Sequence, residues 1–287
     1  MNKKQRVLFM AGFPRAGSSL LANILAQNPL FHTTPTSGLI GSIINIRDNW
    51  KTNDIYKSNG EEYIFPKIKT MIKNMIIGFY EKEVLDGKIP IDKNRGWSGE
   101  IGMLEEAFNC NIKIIYPIRH IGDCVISMEK INRKNNFNNY GDNGNWINEQ
   151  STVGRIENFI KAEGVFGLPL LRLREIIYRN LIDRLVLVPY NDLLTYPNDI
   201  MNRIYDELEL SRFNHDFNNI KQVIQEQDIH HGFSPHSLHK IKEGKLLNLN
   251  NRTYDVIDET NIIKLEQEIF GDITNFINKI SIVKGII

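Results

Sequence analysis

The fold is decided by residues 7–26, VLFMAGFPRAGSSLLANILA. An apolar run stops at Gly12, and a second, periodic apolar run follows the polar residues after it. Gly12 and Gly17 have the spacing of the phosphate-binding motif G-x-x-x-x-G-K-[ST], but Ser18 stands where that motif has its lysine. The cation of this loop is instead Arg15. The pattern predicts an anion-binding loop between a buried strand and a helix. Its positive charge lies before the second glycine, at Arg15, and not after it, where the motif has its lysine.

The composition is that of an ordinary globular protein. The chain has 287 residues, of which 41% are hydrophobic and 24% charged, and its formal net charge is +1. A charge this close to zero argues against a general nucleic-acid or membrane partner, so an anion site must be built from a few placed cations. The two cysteines, Cys110 and Cys124, form no C-x-x-C pair, and no apolar run reaches transmembrane length. We therefore expect a cytoplasmic protein.

Strand-like and helix-like segments alternate along the chain. Short apolar runs predict strands over 6–13, 88–92, 112–118 and 184–190, and periodic runs predict helices over 18–27, 60–85, 98–108, 121–132, 198–209 and 257–269. The alternation indicates an α/β fold with a parallel sheet flanked by helices on both faces. Residues 132–145 and 230–251 are predicted to be irregular. Because no linker stands out, we expect a single domain over residues 1–287, within which residues 132–181 can form a mostly helical cap.

The first loop suits an anion because backbone N–H groups converge in such a turn and the helix N-terminus adds partial positive charge. Glycine allows the backbone to approach closely, the serine hydroxyls add donors, and arginine adds a planar, permanently charged fork. The predicted ligand-binding residues of this loop are Gly12, Pro14, Arg15, Ala16, Gly17, Ser18 and Ser19. The alternative is a tight strand–helix turn that carries an ordinary surface arginine.

A second candidate element is IKIIYPIRHIGDCVISMEKINRK, residues 112–134. Arg119 follows the predicted strand and so stands at the carboxyl edge of the sheet, where open α/β sheets bind ligands. Ser127, in the next predicted helix, reaches the same ligand only if that helix lies beside it. Without the first loop, the default interpretation is an exposed arginine and a helix serine that is bonded to its own backbone.

Together these two elements resemble the PAPS-dependent sulfotransferases. GFPRAGSSLL, residues 12–21, resembles the family's 5′-phosphosulfate loop, and R-x-x-x-D-x-x-x-S, from Arg119 to Ser127, resembles its 3′-phosphate-binding element. Residues 188–210 and 238–241 resemble two further, weaker blocks. The resemblance implies a P-loop-like sheet, PAPS (3′-phosphoadenosine 5′-phosphosulfate) as co-substrate and no need for a metal. It also implies that Arg15 lies at the phosphate–sulfate bridge and that Arg119 and Ser127 hold the 3′-phosphate.

The resemblance further implies a lysine at the end of the second predicted strand, where Lys93 follows KIPID. Lys93 would contact the leaving phosphate or the sulfuryl group; the alternative is a surface ion pair. In the later basic stretch, Lys240 and His239 would be donor-phosphate or acceptor contacts. A metal site in the histidine cluster of residues 230–239 is the less favoured alternative, because fixed short spacings on regular elements are the stronger metal signal.

No residue of this sequence clearly matches the general base of the family. Members of the family carry a glutamate shortly after the first helix or a histidine near the end of the second strand. Here residues 28–39 contain no acidic residue, and the strand end is followed by Asn94 and Arg95. Asp92 and His32 are the local candidates for this base. The simpler interpretations are a capping or ion-pairing role for Asp92 and an ordinary loop position for His32.

The sequence thus predicts transfer of a sulfuryl group from PAPS to an acceptor hydroxyl or amine of unknown class. Two alternatives stay open. A Mg²⁺-dependent P-loop kinase or NTPase would bind ATP, although the loop lysine is missing. A non-catalytic nucleotide-binding module on the same fold would account for the unassigned base. No feature of the sequence indicates a homo-oligomer.

Overall fold

The computed structural model describes residues 7–135, 151–231, 233–234 and 236–247, together with residues 271, 273, 275 and 276. The helix predicted over 257–269 and most of the loop predicted over 132–145 lie outside these residues. Among the residues described, no helix is long and apolar enough to cross a bilayer. The expectation of a single domain over the whole chain stays a prediction.

A parallel sheet forms the centre of the molecule, as predicted. Its strands are β1 (Leu8–Met10), β2 (Phe31–Thr36), β3 (Ile89–Lys93), β4 (Ile114–Ile118) and β5 (Leu185–Pro189). The strand order is β2-β3-β1-β4-β5, and every neighbouring pair is parallel. Strand β1 is therefore central, with β3 on one side and β4 on the other. This order brings the chain segments that follow β1, β3 and β4 to one edge of the sheet.

Strand β2 was not predicted from the sequence. Its segment, FHTTPT, is largely polar and contains a proline, which is unusual inside a sheet. The structure explains the exception, because β2 is the edge strand next to β3 and one side of its backbone needs no strand partner.

Helices cover both faces of the sheet. They are α1 (Ser18–Leu25), α2 (Leu39–Thr52), α3 (Asp54–Ser58), α4 (Glu61–Phe79), α5 (Glu81–Leu85), α6 (Ile101–Phe108), α7 (Ile121–Lys134), α8 (Thr152–Ile160), α9 (Gly167–Tyr178), α10 (Tyr190–Thr195) and α11 (Pro197–Glu207). The helix predicted over 60–85 is divided at Tyr80, which is buried. Helices α2 and α3 were not predicted; α2 buries only three residues, so its apolar pattern is weak.

The alternation of β1 sends its side chains to opposite faces. Leu8 and Met10 belong to one apolar cluster, which includes residues of α1 and α11, whereas Phe9 belongs to the other, which includes residues of α4, α6, α7 and α9. This period of two is what a strand buried on both sides requires. The central strand is thus held in register from both faces, and the loop that follows it has a fixed starting point.

A buried ion pair joins the helices that follow β4. Glu129 on α7 is fully buried and accepts from Nε of Arg155 on α8 at 2.9 Å. Burial raises the pKa of Glu129, but its hydrogen bonds with Arg155 and Arg133 outweigh that effect and hold the pKa below its ordinary value. The pair fixes α8 against α7, so the described part of the expected cap region is helical and anchored to the sheet-bearing part.

Gly12, directly after β1, cannot carry a side chain without disturbing the sheet edge. Its φ is +135°, and a Cβ atom there would lie 2.6 Å from the carbonyl oxygen of Pro117 in β4. We expect Gly12→Ala to lower the free energy of unfolding by roughly 2 kcal/mol or more, from backbone strain and overpacking. Urea denaturation measures the change.

The matched control is Gly41→Ala, since Gly41 is an exposed residue of α2 whose Cβ would meet nothing within 4 Å. Alanine is the better helix former, so this variant should gain about 0.5–1 kcal/mol. Equal effects of the two substitutions would contradict the described close contact at Gly12.

Candidate functional site

A cavity of about 570 Å³ opens at the carboxyl edge of the sheet. The loop after β1, the end of β3, the residue after β4 and the segment 233–247 contribute to its wall. The predicted site residues that line it are Gly12, Pro14, Arg15, Gly17, Ser18, Ser19, Lys93, Arg119, Ser127 and Lys240. The structure therefore brings together residues that lie up to 228 positions apart in the sequence. Ala16 is buried behind the loop instead.

The loop after β1 depends on its second glycine and on a strained arginine. Gly17 has φ +96°, and a Cβ atom there would lie 2.5 Å from the ring of Tyr190 at the start of α10. Helix α1 begins with Ser18, and its N-cap is Gly17, so the hydroxyls of Ser18 and Ser19 do not serve as its cap. Arg15 has φ +63°, in the left-handed region that non-glycine residues rarely occupy. Such strain persists only where the surroundings hold the residue in place, and it is frequent at functional sites.

Side-chain contacts hold Arg15 in this conformation. Its Nε donates to Oγ of Ser127 on α7 at 3.1 Å, and its Nη1 donates to the carbonyl oxygen of Leu238. Burial lowers the pKa of Arg15, with a smaller contribution from Arg119, but a guanidinium stays charged at neutral pH. Helix α7 thus lies beside the loop, which is the condition under which Ser127 was expected to join the site.

Arg119 is the first residue after β4, and it contacts the same loop. Its guanidinium is 4.4 Å from the centre of the Tyr190 ring, and its Nη1 donates to the carbonyl oxygen of Arg15 at 3.4 Å. Its Nε is 3.8 Å from a carboxylate oxygen of Asp123 and is buried without a hydrogen bond to any described residue. A buried N–H donor without an acceptor destabilises the folded state. An anion in the cavity could accept a hydrogen bond from Nε of Arg119, which no described residue accepts.

Lys93, the last residue of β3, is held by a carboxylate that was not predicted. Its Nζ lies 2.5 Å from Oε1 of Glu226, which also accepts from the backbone N–H of Thr36 at 2.7 Å and from its hydroxyl at 2.9 Å. Burial raises the pKa of Glu226, but the hydrogen bond from His239 and the charge of Lys93 outweigh it and hold the pKa well below its ordinary value. The alternative for Lys93 was a surface ion pair, but its ion pair with Glu226 is buried, and Lys93 also lines the cavity.

Glu226 is also part of a cluster with Asp228 and His239. Nδ1 of His239 is 2.8 Å from Oε2 of Glu226 and 2.5 Å from Oδ1 of Asp228, and the backbone N–H of His239 donates to Oδ2 of Asp228 at 2.9 Å. A metal interpretation of this cluster is not favoured, although its groups lie within 4.8 Å of one another. The ammonium of Lys93 already compensates the charge of Glu226, and the resulting arrangement is that of ion-paired side chains.

The segment that carries this cluster is fastened to the rest of the site. Oδ1 of Asn23 on α1 accepts from the backbone N–H groups of residues 223 and 224, at 2.7 and 3.1 Å. The side chain of Asn135 exchanges hydrogen bonds with the backbone of His236, at 2.8 and 3.0 Å. No periodicity or motif in residues 220–247 marks them as part of the site, which is why sequence reasoning found only His239 and Lys240 there.

The two candidate bases near β2 and β3 do not reach the cavity. Asp92 is fully buried in β3, where it accepts from the hydroxyl of Tyr80 at 2.6 Å and from Nε1 of Trp97 at 2.7 Å. Burial raises its pKa against the effect of these hydrogen bonds. His32 lies near the beginning of β2, with Nε2 3.9 Å from a carboxylate oxygen of Glu83. This placement gives Asp92 a structural role and leaves His32 away from the residues that line the cavity.

The role of Asp92 can be tested by its effect on stability. Asp92→Ala leaves two buried donors without their acceptor, and we expect it to lower the free energy of unfolding by about 2–4 kcal/mol. Asp92→Asn keeps one acceptor and can donate to the oxygen of Tyr80, so it should lose about 1 kcal/mol. Urea denaturation followed by tryptophan fluorescence measures both values. Unchanged stability of the alanine variant would contradict the structural role.

Comparisons with known proteins identify the family and show a similar fold. No curated protein matches the sequence. A mouse sulfotransferase complexed with PAP has a similar fold, with a TM-score of 0.50 and 14% identity over 96% of this chain and 89% of the other. A sulfotransferase domain from the curacin biosynthetic pathway aligns with a TM-score of 0.49 and 15% identity, over 95% of this chain and 96% of that one. The family model described as the sulfotransferase family matches residues 8–215, which is well over half of the chain, and the protein therefore belongs to the sulfotransferase family.

Proposed function

We propose that this protein transfers a sulfuryl group from PAPS to an acceptor hydroxyl or amine. The observation that carries the proposal is the convergence of Arg15, Lys93 and Arg119 on one cavity, around a loop whose glycines expose its backbone. Membership of the sulfotransferase family supports sulfuryl transfer as the reaction.

The loop after β1 would hold the 5′-phosphosulfate of PAPS, in which a bridging oxygen joins the sulfuryl group to the phosphate. Backbone N–H groups and the hydroxyls of Ser18 and Ser19 at the start of α1 are the donors for this group. Arg15 and Lys93 both line the cavity, and their positive charges would offset the negative charge that builds on the leaving phosphate. Because Arg15 is already held by Ser127 and Leu238, little rearrangement of its side chain is needed.

The 3′-phosphate would be held by Arg119 and Ser127. Nε of Arg119 is the buried donor that lacks a hydrogen bond among the described residues. The hydroxyl of Ser127 accepts from Arg15 and can still donate its own hydrogen. Lys240, exposed at the cavity wall, adds a further cation for the donor. Arg119 and Ser127 would thus distinguish a 3′-phosphorylated nucleotide from ATP.

The remaining wall suits the body of an acceptor. Phe159, Val165, Phe233 and Leu246 line the cavity on the side of α8 and the segment 233–247. We therefore propose an acceptor that carries an apolar portion next to its reacting hydroxyl or amine. The described cysteines are both free, which fits our proposal that the reaction takes place in the reducing cytoplasm.

The kinase alternative has less support. A kinase loop places a lysine on the β- and γ-phosphates, and Ser18 occupies that position here. Binding measurements with and without Mg²⁺ separate the two functions, because the proposed site takes 3′,5′-adenosine bisphosphate (PAP) without a metal and a kinase site takes ATP with one.

The first test of the proposal concerns Arg119. Titration calorimetry should show that the wild type prefers PAP to AMP, which lacks the 3′-phosphate. Arg119→Met should weaken PAP about ten- to a hundredfold, the loss expected for hydrogen bonds to a charged group. It should leave the affinity for AMP nearly unchanged. Arg179→Met is the control, because Arg179 is an exposed arginine paired with Glu175. Equal affinities of the wild type for PAP and AMP would contradict the assignment.

The second test concerns Arg15. Arg15→Ala should lower PAPS turnover at least about 10²- to 10³-fold, mainly in kcat, because its charge acts on the leaving phosphate. Arg15→Lys should recover part of the loss, since it restores the charge but not the fork. Release of PAP, measured by anion-exchange chromatography, reports turnover on water and on a panel of alcohols and phenols. Turnover near that of the wild type in Arg15→Ala would disprove the proposed role.

A further inference from the structure

An acceptor hydroxyl must lose its proton during transfer, and neither Asp92 nor His32 lies on the cavity. Among the described residues of the cavity wall, the histidine is His239 and the carboxylate is that of Glu163, which is exposed. Glu226 and Asp228 stand behind His239 rather than in the wall. Of these two proton acceptors, His239 is the less exposed and is the one that shares a carboxylate with Lys93.

Covalent and hydrogen-bond connections link His239 to both cations of the proposed transfer. Nη1 of Arg15 donates to the carbonyl oxygen of Leu238, the residue directly before His239. Lys93 and His239 contact the two different oxygens of one carboxylate, that of Glu226, at 2.5 and 2.8 Å. The imidazole thus shares a carboxylate with Lys93, and its backbone directly follows the residue that binds Arg15.

The neighbours of His239 also fix which ring nitrogen is basic. Nδ1 faces carboxylate oxygens of both Glu226 and Asp228, and carboxylates only accept hydrogen bonds. Nδ1 must therefore carry the hydrogen, which leaves the lone pair of the neutral ring on Nε2. Asp228 fixes the orientation of His239 through two contacts. Its Oδ1 faces Nδ1 of the ring, and its Oδ2 accepts from the backbone N–H of the same residue.

We propose that His239 is the general base of this enzyme, positioned by Asp228 and Glu226; this inference rests on the proposed function. Nε2 takes the proton of the acceptor as the acceptor oxygen forms its bond to sulfur. The bond between sulfur and the bridging oxygen breaks, and its electron pair leaves with the phosphate of PAP. The imidazolium that results then releases its proton to water, so that atoms and charge balance over the cycle.

The surrounding charges suit this proton transfer. With neutral His239, the cluster contains the cation of Lys93 and the anions of Glu226 and Asp228, and uptake of one proton brings its formal charge to zero. The carboxylate side chains of Glu226 and Asp228 are only 5% and 1% exposed, so water screens them little. Lys240 is the nearest cation in sequence and is exposed. A buried carboxylate that stabilises an imidazolium is an established way to make histidine an effective base.

Glu226 itself is a poorer candidate. Both of its oxygens are already occupied, one by Lys93 and Thr36 and the other by His239 and the hydroxyl of Thr36. These partners hold its pKa well below the ordinary value, although burial acts in the opposite direction. A carboxylate so strongly stabilised as an anion gains little by taking a proton.

The test uses His239→Asn. The side-chain NH₂ of asparagine can donate to Asp228 as Nδ1–H of histidine does, but asparagine has no basic nitrogen in place of Nε2. His236→Asn is the matched control, since the side chain of His236 is exposed and its backbone makes the contacts with Asn135. Both variants are compared with the wild type in thermal stability, PAP affinity and PAPS turnover on water and on the same acceptor panel.

We expect His239→Asn to bind PAP within about threefold of the wild type and to lose about 10²- to 10⁴-fold in kcat, the range of general-base catalysis. His236→Asn should match the wild type in all three measurements.

A second readout needs no turnover. Nitrogen-15 NMR of the ligand-free protein should show the Nδ1–H tautomer of a ring signal that disappears in His239→Asn. An Nε2–H tautomer would overturn the inference, as would kcat near that of the wild type in His239→Asn, or a wild type that binds PAP but transfers to no acceptor tested. Failure of the wild type to bind PAP would overturn the proposed function itself, and this inference with it.

Discussion

The guanidinium of Arg15 is the point at which distant parts of this chain meet. Its own loop follows the central strand, its Nε reaches Ser127 on α7, and its Nη1 reaches Leu238, which is 223 positions later in the sequence. The backbone of the same residue accepts a hydrogen bond from Arg119. The positive φ of Arg15 and the burial of its charge are both unfavourable, so these partners must compensate for them. The position of the cavity wall depends on that balance.

Sheet topology explains why the sequence could predict half of the site. Motif spacing identified the loop after β1, and the apolar runs located the ends of β3 and β4 within a residue or two. Since parallel strands end at one edge, Lys93 and Arg119 had to lie near that loop if β3 and β4 were its neighbours. The strand order β2-β3-β1-β4-β5 meets this condition, with Lys93 on one side of β1 and Arg119 on the other.

The other half of the site could not be predicted because it does not rest on regular structure. Glu226 contacts Lys93 across 133 positions, and the segment that carries it has neither a helical nor a strand period. Its position is set by single polar contacts, such as those of Asn23 with residues 223 and 224, which leave no trace in hydrophobic patterning. The burial of Asp92 could not be predicted for the same reason. Its contacts with Tyr80 and Trp97 result from tertiary packing, which the spacing of residues in the sequence does not show.

These contacts also answer why the loop cation is an arginine before the second glycine rather than a lysine after it. A lysine at the start of α1 presents one compact charge to a ligand and needs no other partner. Arg15 instead binds two protein groups with different nitrogens of a planar fork, and so links α7 to the segment that carries His239. A lysine could not bridge Ser127 and Leu238 with the same fixed geometry, because its three donors share a single nitrogen on a flexible stem. The arginine thus couples the loop after β1 to α7 and to the segment that carries His239, so one side chain connects three parts of the cavity wall.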